Sequence, residues 1–242
     1  MPCVIVVPAR MGSTRFPGKP LVDLLGKPMV QWVVERALAS NVADRVIVAT
    51  PDQEIVDACK RFGAEAVLTS PNHPTGTDRI AEVALTVRAN VYVNVQGDEP
   101  LVHPDDVKAC AAPLLKDPAV QMGSVFCDCP EEEVENPAVV KVVTDLNGYA
   151  LYFSRHSLPF PRNPRVGPVK KHIGLYAYTA GVLSGFSKWR QTPLEAAESL
   201  EQLRFLEHGV KIRMSRGTGS ALAVDTPEQA DEVRKILASA AQ

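Results

Sequence analysis

The sequence predicts an α/β fold: a doubly wound, mostly parallel sheet that carries an antiparallel insertion. Three features of the chain predict it. Short all-apolar runs of strand length recur through the first hundred residues, the form expected of parallel strands covered on both faces. Amphipathic stretches of helix length separate them, which is the alternation of a βαβ chain. In the second half, closely spaced strand-like runs joined by tight turns replace that alternation. No linker composition intervenes, so residues 1–242 are taken as one domain with an antiparallel insertion at about 139–190.

Taken in order, Cys3–Val7 is the first strand, followed by a polar loop to about Pro20. Pro28 opens the apolar periodicity of Met29, Val30, Trp32, Val33 and Ala37, a helix ending near Ser40. Arg45–Thr50 is the second strand. Thr50-Pro51-Asp52-Gln53 then combines a capping threonine, proline at the first helical position and a glutamine closing the box. Gly63 stops that helix. Ala66–Thr69 is a strand, Thr77 to Val87 a helix, and Val91–Val95 a strand that runs into Gln96-Gly97-Asp98-Glu99-Pro100. Right-handed crossovers place the loops after such strands along one edge of the sheet. Ligands in open α/β sheets bind there, so the loops at 8–20, 70–77 and 96–100 are expected to face one crevice.

In the second half, Val139–Thr144 and Tyr149–Ser154 read as strands joined by a turn whose Asn147-Gly148 favours a tight hairpin. His172–Tyr178 is a further strand. Thr192-Pro193-Leu194-Glu195 starts a helix to about His208, Lys211–Arg216 and Ala221–Val224 read as strands, and Thr226-Pro227-Glu228-Gln229 caps a last helix.

Composition narrows the class. With 45% hydrophobic and 22% charged residues the chain is ordinary for a globular protein. A net charge of -2 excludes a general nucleic-acid coat, so any positive potential must be local. The five cysteines are an odd count. Cys3, Cys59 and Cys110 lie in apolar runs where a buried thiol is the default, and Cys127-x-Cys129 has no second pair at zinc spacing. The apolar start ends at Pro8 and Arg10, too short for a secretory core. No run of about 20 apolar residues exists to span a membrane, and a cytoplasmic location is expected.

The loop from Pro8 to Pro20 is the most informative segment. It sets Arg10, Arg15 and Lys19 beside Gly12 and Gly18, directly after a strand. Glycines let backbone N–H groups approach a polyphosphate, and arginine adds a bidentate fork. The spacing is not a Walker A loop: five residues separate Gly12 from Gly18, and Pro20 stands where a magnesium-binding Ser or Thr belongs. Read blandly, the loop is a solvated basic turn. Asp98 and Asp225 each follow a strand, where a carboxylate suits a hard cation such as magnesium. Each also has an ordinary reading, Asp98 as a turn residue and Asp225 as part of a helix start. Thr75-Gly76-Thr77-Asp78-Arg79 reads equally as a base or ribose contact and as a capped helix start. Arg155, Arg162 and His172, near Lys170 and Lys171, suit an anionic substrate, a solvated face or a subunit contact.

Together these segments resemble the CMP-Kdo synthetases (3-deoxy-manno-octulosonate cytidylyltransferases). The stretches that carry the likeness are Pro8–Leu21, Val93–Pro100, Tyr149–Arg155, His172–Tyr176, Leu200–Arg204 and Val224–Pro227, in family order across nearly the whole chain. The resemblance implies a Rossmann-like nucleotidyltransferase sheet whose antiparallel insertion makes homodimer contacts. It implies transfer of CMP from CTP to Kdo with magnesium, activating Kdo for lipopolysaccharide synthesis, with no nucleic-acid or membrane partner. Arg10, Arg15 and Lys19 would hold the triphosphate, and Ser13, Thr77, Arg79 and Gln96 would lie near the nucleotide. Asp98 and Asp225 would hold magnesium. Arg155, Arg162, His172, Tyr176, Glu201 and Gln202 would shape the sugar site. The chain departs from the pattern by a shorter span between Arg162 and His172 and an idiosyncratic stretch at Arg216–Ala221. The alternatives are a related enzyme acting on another acidic or amino sugar such as 8-amino-Kdo, and a non-catalytic nucleotide-binding protein on the same fold.

Overall fold

Strand β1 (Cys3–Pro8) shows why the sheet is doubly wound. In the computed structural model, which describes residues 2–219 and 222–240, Cys3, Ile5 and Val7 enter one apolar core. Val4 and Val6 enter another. Successive side chains on a strand point to opposite faces, so an unbroken apolar run requires helices on both sides. Those helices are present. The first core takes Val30, Val33 and Val34 of α1 (Met29–Ala39), Ile55 and Cys59 of α2 (Gln53–Arg61), and Val107, Cys110 and Leu114 of α4 (Pro104–Lys116). The second takes Ile80 and Val83 of α3 (Gly76–Thr86), Leu183 and Phe186 of α5 (Ala180–Phe186) and Leu203 of α7 (Gln202–Glu207).

Among the described residues the main sheet has nine strands. Its parallel part runs β6 (Val91–Asn94), β1, β4 (Arg45–Thr50), β5 (Glu65–Leu68). Antiparallel β10 (Lys170–Thr179) lies between β6 and β7 (Met122–Asp128), and β11 (Ile212–Arg216) closes that edge parallel to β7. A small separate hairpin pairs β2 (Asp23–Leu24) with β3 (Lys27–Pro28). Hairpin β8 (Lys141–Thr144) and β9 (Ala150–Ser154) joins the main sheet through β10. The antiparallel region is therefore continuous with the main sheet. Lys141 anchors it: fully buried, its ammonium donates to the carbonyls of Asn136, Val139 and Arg155.

Several expected boundaries move. Thr50 is not the cap of α2: the β4–β5 ladder continues to the Thr50–Leu68 pair, and the helix waits until Asp52 as N-cap. Helix α3 is capped by Thr75, whose side chain accepts from Asp78 N, while Thr77 lies inside the helix and is buried. The expected helix to His208 is two, α6 (Pro193–Glu198) and α7, because Ser199 between them takes a left-handed conformation at φ 52°. Leu222–Val224 form no strand; Ala221 lies outside the described residues. The last helix, α8 (Pro227–Ala240), starts as expected, with the Gln229 side chain accepting from Asp225 N and Thr226 N.

The pair α4 and β7 had no counterpart in the sequence reading, and the two pack closely. A Cβ added at Gly123 of β7 would lie 2.5 Å from the carbonyl oxygen of Cys110 and 2.9 Å from Leu114 Cδ1. We expect Gly123→Ala to lower stability by about 1–3 kcal/mol through overpacking, read as a reduced urea midpoint at unchanged m-value.

Candidate active site

The loops after β1 and β6, the start of α3 and the segment before α8 enclose one cleft of ≈ 380 Å³. The arrangement follows from the parallel order of β1, β4 and β6, which puts their carboxyl ends together. The loops touch: a Cβ at Gly97 would stand 2.6 Å from the carbonyl oxygen of Pro8, so only glycine allows this approach.

At one side of the cleft Lys19 gathers the carboxylates. Its Nζ lies 2.6 Å from Asp98 Oδ2 and 3.0 Å from Asp225 Oδ1, and donates to the Val224 carbonyl at 3.1 Å. Arg15 pairs with the other oxygen of Asp225 at 2.9 Å. Val224 N donates to the Asp98 carbonyl at 2.8 Å, tying the two carboxylate-bearing segments by backbone as well. Burial works against the charge of Lys19, but Asp98 and Asp225 outweigh it and hold its pKa above the ordinary lysine value. The neighbouring carboxyl of Glu99 behaves differently. Burial, and then the charge of Asp98, pushes its pKa up to about 8, so a protonated Glu99 lies behind an accessible Asp98.

Of the residues singled out in the sequence, Arg10, Ser13, Arg15, Lys19, Arg79, Gln96, Asp98 and Asp225 all line this cleft. Arg79 is buried and donates to Thr69 and to the Ser70 carbonyl. Burial, and then the charge of Arg10, lowers its pKa from the usual arginine value. Thr77 does not line the cleft. It faces inward, bonded to Glu201 and to Tyr178. The sequence reading missed His73, which does line the cleft and pairs with Glu82; it lies in the 70–77 loop already expected there.

Asp98 and Asp225 supply hard oxygen donors that converge on one cationic nitrogen, and magnesium needs few protein ligands. The pair therefore fits such an ion. Among the described residues no group of three His, Cys, Asp or Glu side chains is placed to hold a metal, and all five cysteines are free and buried.

A family model described as cytidylyltransferase matches residues 4–212. The 3-deoxy-manno-octulosonate cytidylyltransferase of Vibrio cholerae is 45% identical over the full length of both chains. That of Geobacter sulfurreducens is 46% identical, covering 96% of this chain and 98% of its own. The chain belongs to the 3-deoxy-manno-octulosonate cytidylyltransferase family. A solved CMP:2-keto-3-deoxy-manno-octonic acid synthetase complexed with CTP superposes with a TM-score of 0.96 at 42% identity, covering 99% of this chain and 100% of that one. The 4-diphosphocytidyl-2C-methyl-D-erythritol synthase of Anaerococcus prevotii shares the fold alone, with a TM-score of 0.66 at 10% identity.

In this cytidylyltransferase a second group of side chains lies beside the cleft. Tyr176 donates to Gln202 Oε1 at 3.1 Å, and Glu201 takes the Thr77 hydroxyl one residue from Gly76 of the cleft wall. His172 packs between Phe153 and Tyr176, with Nε2 2.9 Å from Ser124 Oγ. Arg155 does not project freely: its fork donates to the carbonyls of Glu198 and Pro137. Arg162 is exposed in the proline-rich 159–168 segment and joins neither group. Lys170 and Lys171 bind Thr144 and Glu133. The expected cationic cluster is thus dispersed, and His172 adds no charge to it, because burial lowers its pKa to about 3.

That burial has a consequence for stability. The unfolded imidazole takes up a proton near pH 6.5 and the folded one only near pH 3, so the unfolded state binds more protons between these values. Stability is then lost as pH falls. We expect about 2 kcal/mol of loss from this group by about pH 5. In urea titrations across this range His172→Gln should flatten that branch; an unchanged slope would remove His172 as its source.

Proposed function

We propose that the chain transfers the cytidylyl group of CTP to 3-deoxy-D-manno-octulosonate (Kdo), giving CMP-Kdo and pyrophosphate. The observation that carries this reading is the convergence of Arg10, Arg15 and Lys19 with Asp98 and Asp225 in one cleft. The named relatives and the CTP-bound structural neighbour support the choice of nucleotide and sugar.

A sugar hydroxyl attacks the α-phosphorus in line, and pyrophosphate leaves. Positioning and charge stabilisation are the protein's tasks in such a transfer. Arg10 and Lys19 take the charge that develops on the leaving pyrophosphate, and the exposed Arg15 reaches its far phosphates. Gln96, Ser13 and Arg79 hold the nucleotide against the loops. Asp98 and Asp225 would hold magnesium, which would supply Lewis-acid polarisation of phosphate oxygens. The sugar acid lies toward Tyr176, Glu201 and Gln202, whose acceptors and donors suit hydroxyl groups. Exposed Leu151, Phe160 and Val166 on the insertion support a homodimer through that face. No helix among the described residues is long and apolar enough to cross a membrane, and soluble substrates agree with work in the cytoplasm.

Pyrophosphate release from CTP, UTP, ATP and GTP, each with Kdo and with 8-amino-Kdo, with and without magnesium, tests the reading. Release with CTP and Kdo in the presence of magnesium is expected; none with any pair would leave a nucleotide-binding protein instead. Asp98→Asn and Asp225→Asn should each lower turnover by about a hundredfold or more while leaving the circular dichroism spectrum unchanged. Near-normal turnover in either purified variant would overturn the metal assignment.

A further inference from the structure

Asp52 stands at the N-cap of α2 yet gives its side chain to something else. Aspartate is among the best capping residues because its carboxylate can accept from the orphan N–H groups of the first turn. Here the backbone has N-cap geometry, φ -106° and ψ 119°, but no side-chain cap bond is made. Instead Asp52 Oδ2 accepts from Met11 N at 2.7 Å, 41 residues back in the chain. The contact is possible because β4 and β1 are neighbours in parallel register, with Ala9 N donating to the Ala49 carbonyl at 3.0 Å.

The Met11 residue so held is the hub of the basic loop. Its carbonyl accepts from Ser13 N at 2.9 Å and from Gly18 N at 3.0 Å, closing the loop on itself. Arg10 directly precedes the anchored amide, and Lys19 directly follows Gly18. The positions of both cations are thus referred to a single amide that the sheet fixes through one carboxylate. Asp52 also adds negative charge close to Arg79, which Arg10 otherwise repels. Thr50 Oγ1 in turn accepts from Asp52 N at 3.1 Å, holding the carboxylate's own backbone against the end of β4.

From this geometry we infer that Asp52 is a positioning residue for the triphosphate loop, setting Arg10 and Lys19 for the nucleotide through the Met11 amide without touching it. The inference rests on the cytidylyltransferase reading above. A charge-assisted hydrogen bond to a backbone amide commonly carries more weight than a neutral one. Its loss should appear as weaker CTP binding, because the loop must then be ordered by the ligand itself.

Three variants separate this role from helix capping. Asp52→Ser supplies a side-chain N-cap but is too short for Met11, Asp52→Ala offers neither contact, and Asp52→Asn keeps an acceptor oxygen at full reach. CTP binding by calorimetry, KM for CTP, KM for Kdo and the ligand-free melting temperature are measured for each. We expect the serine and alanine variants to bind CTP about ten- to a hundredfold more weakly, with KM for Kdo unchanged. The serine variant should melt close to wild type, and Asp52→Asn should recover most of the CTP affinity. Wild-type affinity in Asp52→Ser would show that the Met11 contact is dispensable for CTP binding and overturn the inference. So would an equal rise in both KM values across all three variants. Absence of CTP binding by the unmodified protein would overturn the functional reading itself, an outcome visible before any variant is compared.

Discussion

Lys19 holds three distant parts of the chain at one point, and the cleft depends on that contact. The lysine follows β1, Asp98 follows β6, and Asp225 precedes α8. Two carboxylates facing one small space repel each other unless a cation stands between them, and Lys19 is that cation. Its side chain is only 13% exposed, so the attraction is less screened than at the surface. The backbone bond from Val224 N to the Asp98 carbonyl does not depend on charge. The two carboxylate-bearing segments are therefore joined independently of the lysine.

The antiparallel strand β10 brings side chains from the second half of the chain to the same place. Tyr176 pairs with Asn94, the last residue of β6. Because β10 runs opposite to β6, the residues before Tyr176 continue past the end of β6, alongside the Gln96–Asp98 turn. Glu99 reaches this strand: a Cβ at Gly174 would sit 3.3 Å from its Oε1. The register shift between Ile173 and Tyr176 falls at the same spot, as a bulge does when it re-aims side chains beside a site. Parallel strands deliver their following loops to one edge, and one reversed strand brings Tyr176 to the same edge, where it donates to Gln202 of α7.

Local pattern made some of this legible in the sequence and hid the rest. Arg45–Thr50 is read to its ends because an unbroken apolar run admits few other structures. The cations of the first loop, Asp98 after β6 and Asp225 before α8 were recoverable because charged groups at the mouth of a parallel sheet have few structural duties, although the strand expected before Asp225 is not formed. Where a decision belonged to a distant partner, the pattern failed. Thr50 carries a capping signature, but pairing with Leu68 keeps it in the strand. Thr77 looks like a cap or a ligand contact, and only the arrival of Glu201 and Tyr178 makes it a core residue. Asp52 reads as part of a helix start, and the sheet neighbour that claims its carboxylate lies 41 residues away. Arg155 and Arg162 look alike in sequence; carbonyl partners pin one and leave the other at the surface.

The charge balance of the cleft also bears on what it selects. The whole chain is slightly acidic, at -2, yet Arg10 lies near enough to buried Arg79 to depress its pKa. The two guanidinium groups repel each other, Arg10 at the exposed mouth and Arg79 buried behind it. Both guanidinium groups line the same cleft as the Lys19 cluster. The cations differ in freedom: Lys19 is nearly enclosed, while Arg15 has 67% of its side chain exposed. A cleft that sets Arg10, Arg15, Lys19 and Arg79 around two carboxylates suits a ligand with several negative charges better than one with few.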